Sequence, residues 1–301
     1  MTTVAVAPRG ARVWLLAARP ATLPAAVVPV IVGTAAALHG GRPLQAGPFV
    51  AALTAALLIQ VGTNFANDVF DFYRGADTPD RLGPLRVTQS GLVRPREVLI
   101  ATYLAFGLAV VVGIYLVTVG GWPILLIGVL SILAGLAYTG GPLPYAYYAL
   151  GDVSCFVFFG LLAVLGSAYL QTLELTVLDV WAAIPTGCLV TAILVVNNLR
   201  DIDQDRRVGK TTLAVRLGRH GTRVEYTALV VIAYLVPLAL WVLGLVRPLW
   251  FALPLLSLPL GVWLVRFIGR TEGRPLNLAL KRTGQLHLLF GLLFAASLWL
   301  G

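Results

Sequence analysis

Two short stretches hold most of the acidic side chains of a sequence that otherwise avoids charge. Residues 64–91, NFANDVFDFYRGADTPDRLGPLRVTQSG, contain four aspartates and three arginines. Residues 197–218, NNLRDIDQDRRVGKTTLAVRLG, contain three more aspartates, so the two stretches hold seven of the thirteen acidic residues. Carboxylate and amide oxygens bind hard divalent cations, and neighbouring arginines bind phosphate oxygens. This concentration of charge therefore indicates a functional site.

The spacing within each stretch would align the oxygen ligands along one side of a helix. If a helix continues through the first stretch, Asn67 and Asp71 share a face, with Asp68 beside them. In the second stretch Asn197, Asp201 and Asp205 recur every four residues. Oxygen-only ligands favour Mg²⁺, which usually binds one or two carboxylates together with substrate phosphates. Two such stripes facing each other would hold a metal ion and phosphate between them.

Basic residues accompany both stripes. Arg74 and Arg86 follow the first stripe, and Arg200 and Lys210 surround the second. Guanidinium groups bind diphosphate in a bidentate manner, and departure of diphosphate requires neutralisation of its charge. The alternative for any single residue is an ordinary ion pair in a solvated loop. Because the pattern occurs twice, it favours a site that binds a metal diphosphate.

The elements that position these stretches are expected to be membrane helices. Of the 301 residues, 58% are hydrophobic and 12% are charged, whereas soluble domains carry about 25% charged residues. Nine apolar windows could each cross a hydrocarbon core of ~30 Å as a helix. The windows are residues 20–38, 46–66, 97–118, 122–139, 148–170, 179–199, 225–246, 249–269 and 284–300. We therefore predict an all-α integral membrane bundle of nine transmembrane helices, forming one domain over residues 1–301.

The distribution of basic residues predicts the orientation of this bundle. Of the 22 Lys and Arg residues, twenty flank one face of the nine windows, and only Arg42 and Arg247 flank the other. The positive-inside rule then places the N-terminus and both aspartate-rich stretches on the cytoplasmic side of the cell (plasma) membrane. The net charge of +9 follows from this topology. No aromatic-basic module accompanies it, so nucleic-acid binding is not indicated.

These stretches resemble the two aspartate-rich motifs of the UbiA superfamily of membrane prenyltransferases. The similar residues are NDVFD with a following Asp, and DIDQD followed by GKTTLAVRLG. The segment RLGPLRVTQSGLV resembles the branch of that superfamily that prenylates 1,4-dihydroxy-2-naphthoate in menaquinone synthesis. The resemblance implies a Mg²⁺-dependent enzyme that transfers a polyprenyl group from polyprenyl diphosphate to this acceptor. Diphosphate and CO₂ would be lost, demethylmenaquinol would form, and the prenyl tail would reach membrane lipid between helices.

The resemblance also assigns metal ligands and diphosphate contacts. The implied metal ligands are Asn67, Asp71, Asp77, Asn197, Asp201 and Asp205. The superfamily often has an Asp four residues after Asp71, where this sequence has Gly75, so Asp77 is expected to take that role. The implied diphosphate or substrate contacts are Arg74, Arg86, Gln89, Arg200 and Lys210.

Three further residues are candidates for the chemistry itself. They are Asp68, Tyr138 and Asp152. The ring of Tyr138 could stabilise an allylic cation, although a tyrosine in the interfacial belt would occupy the same place. Asp152 could lie near the aromatic substrate or the metal, but a carboxylate at a helix N-terminus is also favoured by the helix dipole.

Three other functions are weighed against this one. A secondary transporter also carries acidic residues in a multi-span bundle, but its site usually lies near the bilayer midplane on broken helices. A transferase of CDP-alcohols would need DG and AR elements that the acidic stretches lack. Within the superfamily the acceptor could instead be 4-hydroxybenzoate, homogentisate or a haem vinyl group. The GPLRVTQSG segment disfavours these acceptors by resemblance alone.

Overall fold

The protein is a bundle of helices in a computed structural model that describes residues 10–76 and 81–301. The described residues contain no strand, because every regular element is helical. The α-helices are α1 (Ala11–Ala18), α2 (Pro24–Ala37), α3 (Ala46–Tyr73), α4 (Pro95–Ala137), α5 (Gly151–Cys155), α6 (Ala163–Thr172), α7 (Val177–Arg207), α8 (Leu213–Val242), α9 (Pro248–Phe251), α10 (Leu258–Arg270) and α11 (Leu276–Leu300). A π-helical stretch, Phe156–Leu162, joins α5 to α6, and 3₁₀ turns form at Pro20–Thr22, Tyr145–Tyr148 and Leu253–Ser257.

The described helices provide the nine predicted spans. Seven continuous helical segments are long and apolar enough to cross a membrane, two of them composite (Gly151–Thr172 and Pro248–Arg270), and α1 and α2 form a further span bent by 49°. The 43-residue α4 supplies two spans, because Gly121 interrupts it with φ 67°, a conformation that glycine adopts readily. The predicted all-α, nine-helix fold is therefore confirmed.

The first part of each aspartate-rich stretch lies on the C-terminal turns of a long helix. Helix α3 continues to Tyr73 and α7 to Arg207, so their polar residues keep helical spacing. The start of α7 is fixed by a capping box in which the Thr176 side chain accepts from the Asp179 N–H and Asp179 accepts from Thr176. The helical continuation on which the stripe prediction depends is thus present.

Helix α7 lies at the centre of the bundle. It packs against α8, α11, α2 and the π-helical stretch, while α3 packs mainly against α4. A Cβ on Gly160 would lie 2.5 Å from the Cα of Gly187, so two glycines bring the π-helical stretch close to α7. This arrangement leaves a space between α3, α4 and α7.

Candidate active site

A cavity of about 980 Å³ lies inside the bundle between α2, α3, α4, α7 and the segment 154–170. Its polar end is lined by Asn67, Asp71, Asn197, Asp201, Asp205 and Lys210. The rest of the wall is mostly apolar and includes Ile59, Ile124 and Phe158. The fold therefore brings the two aspartate-rich stretches, which are far apart in the sequence, to one end of one cavity.

Helix α3 presents one polar stripe to this cavity. Gln60, Asn64, Asn67 and Asp71 recur at intervals of four, three and four residues, and all four line the cavity. Residues four apart differ by about 40° around a helix, whereas neighbours differ by about 100°. Asp68 is consequently turned away and is not part of the cavity lining.

Asp68 instead holds the loop that follows α3. Its Oδ1 accepts a hydrogen bond from the Thr88 N–H (2.9 Å) and its Oδ2 accepts one from the Val87 N–H (3.2 Å). The carboxylate is buried, and hydrogen bonds to charged groups are stronger than those between neutral groups. The turn fixed in this way carries Arg86 into the cavity wall.

Asp71 is the carboxylate of α3 that faces the cavity. Arg86 Nη2 donates to Asp71 Oδ2 over 3.0 Å, and Tyr147 Oη donates to Asp71 Oδ1 over 3.1 Å. Both members of the Asp71–Arg86 pair are buried. A buried carboxylate is tolerated when it is paired and hydrogen-bonded, and these two contacts fix the orientation of Asp71.

On α7, Asp201 is held by its sequence neighbour. Arg200 Nε donates to Asp201 Oδ1 (2.7 Å) and Arg200 Nη2 donates to Asp201 Oδ2 (2.5 Å). Arg200 Nη2 also donates to Asn197 Oδ1 (2.8 Å), and Arg200 Nη1 donates to Asn277 Oδ1 on α11 (2.8 Å). The guanidinium is fully buried and does not line the cavity, whereas Asn197, Asp201 and Asn277 do.

Asp205 lines the same cavity and carries a carboxylate oxygen with no hydrogen-bond partner among the described residues. Lys210 Nζ lies 3.7 Å from Asp205 Oδ1. Asp205 Oδ2 is buried, and among the described residues it accepts no hydrogen bond. Leaving a buried acceptor unsatisfied is costly, and a bound cation would satisfy it.

The pKa of Lys210 reflects the carboxylates that line the same end of the cavity. Burial lowers the pKa of Lys210, but Asp205, Asp71 and Asp201 together raise the pKa by more, so the net shift is upward. The ammonium group also lies 5.5 Å from the ring centroid of Tyr147. Lys210, which lies outside the spanning segments, thus interacts electrostatically with carboxylates from both α3 and α7.

Several predicted site residues do not reach the cavity. In addition to Asp68 and Arg200, they are Arg74, Gln89 and Asp152. Arg74 Nε donates to the Thr139 carbonyl (2.9 Å) and Arg74 Nη2 to the Gly141 carbonyl, so this guanidinium caps the turn after α4. Gln89 is half-buried on the turn that Asp68 fixes, and Asp152 is buried at the start of α5. Asp77 lies outside the described residues.

Tyr138, in contrast, lines the cavity where α4 ends. Its ring meets that of Tyr145 edge to face, with 5.4 Å between centroids and 82° between planes. Tyr145 Oη donates to the Ala134 carbonyl (2.9 Å), which fixes the second ring. The ring of Tyr138 is thereby held at the cavity wall.

Some site residues were missed by sequence reasoning. Gln60 and Asn64 continue the Asn67–Asp71 stripe at helical spacing, so extending the pattern backwards would have found them. Tyr147 gave no local signal, since it lies on a turn and reaches Asp71 through tertiary structure. Asn277 gave none either, because its partners, Arg200 and the Leu82 carbonyl, are distant in the sequence.

The apolar part of the cavity reaches the outer surface of the bundle at α4. Val110 and Ile114 line it from one half of this helix, and Leu125 and Val129 line it from the other. All four are also about half exposed on the outside of the bundle. A hydrocarbon chain lying in the cavity could therefore pass between the two halves of α4 into the bilayer.

Comparison with known proteins identifies the family. The profile of the UbiA prenyltransferase family matches residues 26–289, and this chain belongs to that family. The protein is therefore a multi-pass membrane protein, as its spans indicate. A 1,4-dihydroxy-2-naphthoate octaprenyltransferase from Escherichia coli is 42% identical over 297 residues, which are 95% of each chain. The octaprenyltransferase of the same name from Mycobacterium tuberculosis is 39% identical over 294 residues, covering 96% of this chain and 97% of that protein.

A solved structure shares the fold. The UbiA homologue from Archaeoglobus fulgidus bound to DMAPP and Mg²⁺ superposes with a TM-score of 0.68. It is 15% identical in sequence, and the alignment covers 95% of this chain and 98% of that chain. At this identity the likeness establishes the arrangement of helices rather than the substrate.

Proposed function

We propose that this protein transfers a polyprenyl group from polyprenyl diphosphate to 1,4-dihydroxy-2-naphthoate in menaquinone biosynthesis. Residues 1–301 would form one prenyltransferase domain of the plasma membrane. The bond between the prenyl C1 and the diphosphate oxygen breaks, and its electron pair leaves with diphosphate. The ring carbon of the acceptor that bears the carboxylate forms the new bond to C1, and loss of CO₂ from that carbon returns an electron pair to the ring. The product is demethylmenaquinol.

One observation carries the proposal. Asp71, Asp201 and Asp205 share one end of a cavity with Arg86 and Lys210, and the rest of that cavity is apolar and open to the side. This is the arrangement needed for a molecule with a metal-bound diphosphate head and a long hydrocarbon tail. The naphthoate acceptor is proposed from the octaprenyltransferases that are 42% and 39% identical over nearly the whole chain.

The polar end fits Mg²⁺. The described residues contain no group of three or more His, Cys, Asp or Glu side chains that could enclose a metal ion. Mg²⁺ does not need such a cage, because it commonly keeps waters and binds one or two carboxylates plus substrate phosphates. The partnerless Oδ2 of Asp205 supplies an oxygen ligand of the required kind. When bound, Mg²⁺ neutralises charge on the diphosphate leaving group.

Specific residues would hold this metal diphosphate. One carboxylate from each stripe, Asp71 and either Asp201 or Asp205, would bind the metal directly, and the amide oxygens of Asn67 and Asn197 are further candidate ligands. Asp77 stays a further candidate ligand by resemblance. We expect the paired cations Arg86 and Lys210 to exchange carboxylate oxygens for diphosphate oxygens when substrate enters, because both line the cavity. Arg81, which also lines it, would add a third donor.

Other predicted residues would act one step away from the substrate. Asp68 would position Arg86 through the turn at Val87 and Thr88. Arg74 would position the turn after α4, and Gln89 and Asp152 are proposed as supports for the substrate site. The cavity-facing ring of Tyr138 would stabilise positive charge that develops on the prenyl C1.

The cytoplasm is the proposed location of the polar end. Arg42 and Arg247 lie in the connections before α3 and before α9, at helix ends remote from both aspartate-rich stretches. Twenty of the 22 basic residues remain on the side of the stretches, as the positive-inside rule requires. Water-soluble acceptor and diphosphate would then exchange with the cytoplasm, while the tail stays in lipid.

An assay of the purified protein in detergent tests the function. We expect protein supplied with 1,4-dihydroxy-2-naphthoate, a polyprenyl diphosphate and Mg²⁺ to release CO₂ and form a prenylated naphthoquinol. Chelation of the metal with EDTA should stop both, and excess Mg²⁺ should restore them. Prenylation of 4-hydroxybenzoate but not of the naphthoate would refute the assignment of the acceptor. Full activity in EDTA would refute the proposed dependence on a metal.

A further inference from the structure

Arg200 was expected to contact diphosphate, yet the structure gives its side chain a different set of partners. Four of its N–H contacts go to protein oxygens: two to Asp201, one to Asn197 and one to Asn277. The side chain has no exposed area and is not part of the cavity wall. A diphosphate could reach it only after several of these hydrogen bonds had broken.

The loop over this guanidinium reinforces its isolation from the cavity. A Cβ on Gly83 would lie 2.7 Å from Arg200 Nη2, so the backbone of the loop packs directly on the side chain. Gly83 itself lines the cavity. The side chain of Arg200 therefore lies between the surface of its own helix, α7, and the loop. The loop separates this side chain from the cavity.

Asn277 connects this arrangement to a third element. It accepts from Arg200 Nη1 (2.8 Å), while its Nδ2 donates to the Leu82 carbonyl (2.8 Å). The amide thereby ties α11 both to α7 and to the loop that contains Arg81 and Gly83. Neither bond is local in the sequence, so they form only when α7, α11 and the loop are correctly packed.

We propose that Arg200 and Asn277 form a clamp that positions the oxygen ligands of Asn197 and Asp201 for the metal, and that Arg200 itself does not contact the substrate. The assignment rests on the proposed metal-dependent function. The planar guanidinium fixes both oxygens of Asp201 and the oxygen of Asn197 in one geometry. A carboxylate has about four lone-pair directions, so Asp201 can keep both contacts with Arg200 and still bind a cation. Outer partners of this kind typically change metal affinity by 10–100-fold.

Metal binding measured without turnover tests the clamp. Mn²⁺, which takes similar oxygen ligands, is titrated into the full-length protein in detergent with inorganic pyrophosphate, and bound ion is followed by electron paramagnetic resonance. The variants are Arg200→Lys, Asn277→Ala and the double variant. Arg206→Lys is the matched control, since Arg206 is an exposed arginine of the same helix outside the cavity lining.

Lysine at position 200 keeps the charge but loses the planar fork. We expect Arg200→Lys to weaken Mn²⁺ binding ~10-fold, and Asn277→Ala to weaken it by less. The double variant should be no weaker than Arg200→Lys, because residues that act through one another are not additive. At saturating metal, the clamp variants should bind pyrophosphate with the affinity of the wild type. The control variant Arg206→Lys should match the wild type in both metal affinity and pyrophosphate affinity.

Two results would overturn the clamp. Wild-type metal affinity in Arg200→Lys and Asn277→Ala would remove the positioning role. Weaker pyrophosphate binding at saturating metal would make Arg200 a direct contact. If Arg200→Lys fails to fold, Asn277→Ala decides the question alone, because it removes only one amide. Absence of Mn²⁺ binding in the wild type would refute the proposed function itself, which distinguishes the two failures.

Discussion

The two polar stripes look alike in the sequence but are held in different ways. On α3, Asp71 faces the cavity while Asp68 turns aside to bind the N–H groups of Val87 and Thr88. On α7, both Asp201 and Asp205 face the cavity, and Asp201 is held by the adjacent Arg200, whereas Asp71 is held by Arg86 from the following loop. The number of aspartates in a motif therefore does not equal the number that can bind a metal.

The difference follows from helical spacing. Asp201 and Asp205 are four residues apart and stay on one face, as do Asn67 and Asp71. Asp68 follows Asn67 directly, about 100° away around the helix. The first stripe therefore has one described carboxylate at the cavity and the second has two. Mutations can distinguish the roles of the two stripes. The expected loss of activity becomes smaller as the mutated residue lies further from the proposed metal site.

Removal of a cavity-facing carboxylate should have the largest effect. We expect Asp71→Ala and Asp201→Ala each to lose more activity than the 10–100-fold typical of an outer partner, because a charged oxygen ligand is absent. Turnover of the naphthoate with Mg²⁺ gives the activity, and circular dichroism confirms that the helices remain. Wild-type turnover in either variant would mean that the stripe carrying the mutated residue is not needed for prenyl transfer.

Asp68→Asn should affect stability as well as activity. The new NH₂ group would oppose a backbone N–H that now has an oxygen acceptor, at a cost of about 1–3 kcal/mol. We expect a lower unfolding temperature in detergent and a loss of activity of about 10–100-fold, smaller than for Asp71→Asn. Metal affinity should fall less than in Asp71→Asn. A larger loss of metal affinity in Asp68→Asn would reverse the roles assigned to the two aspartates.

Tyr147→Phe should have a moderate effect. It removes the hydrogen bond to Asp71 but keeps the ring that Arg74 and Lys210 contact. A hydrogen bond to a charged group contributes about 1.5–3 kcal/mol, so a decrease in kcat/KM of about 10–100-fold is expected. Tyr148→Phe is the matched control, because Tyr148 is exposed on the same turn. Equal effects of the two substitutions would exclude a specific role for the Tyr147 hydroxyl.

Arg74→Gln should have the smallest effect. Glutamine can still donate to one of the carbonyls of Thr139 and Gly141, and the position lies outside the cavity lining. We expect an unchanged KM for polyprenyl diphosphate and a modest loss of thermal stability, within about 1 kcal/mol. A large increase in that KM would show that Arg74 moves to the diphosphate during the reaction.

The sequence predicted those parts of this structure that depend on local periodicity. Nine apolar windows predicted nine spans, and spacing by four predicted which oxygens of Asn67, Asp71, Asp201 and Asp205 share a helix face. The contacts of Arg74 with Thr139 and of Arg200 with Asn277 could not be predicted, because these oxygens lie on other elements. The other contacts of Arg200, with Asn197 and Asp201, lie within its own helix. A basic residue next to an acidic motif can support the motif or the substrate, and tertiary packing decides between them.

The central claim is that α3 and α7 hold one metal diphosphate between them. The most direct measurement is a crystal structure with Mn²⁺ and an unreactive prenyl thiolodiphosphate, in which the anomalous signal locates the metal. We predict a peak within about 2.0–2.6 Å of carboxylate oxygens from both Asp71 and the Asp201–Asp205 pair, bridged by the diphosphate. A metal that takes protein ligands from one helix alone, or that binds elsewhere in the bundle, would contradict this account.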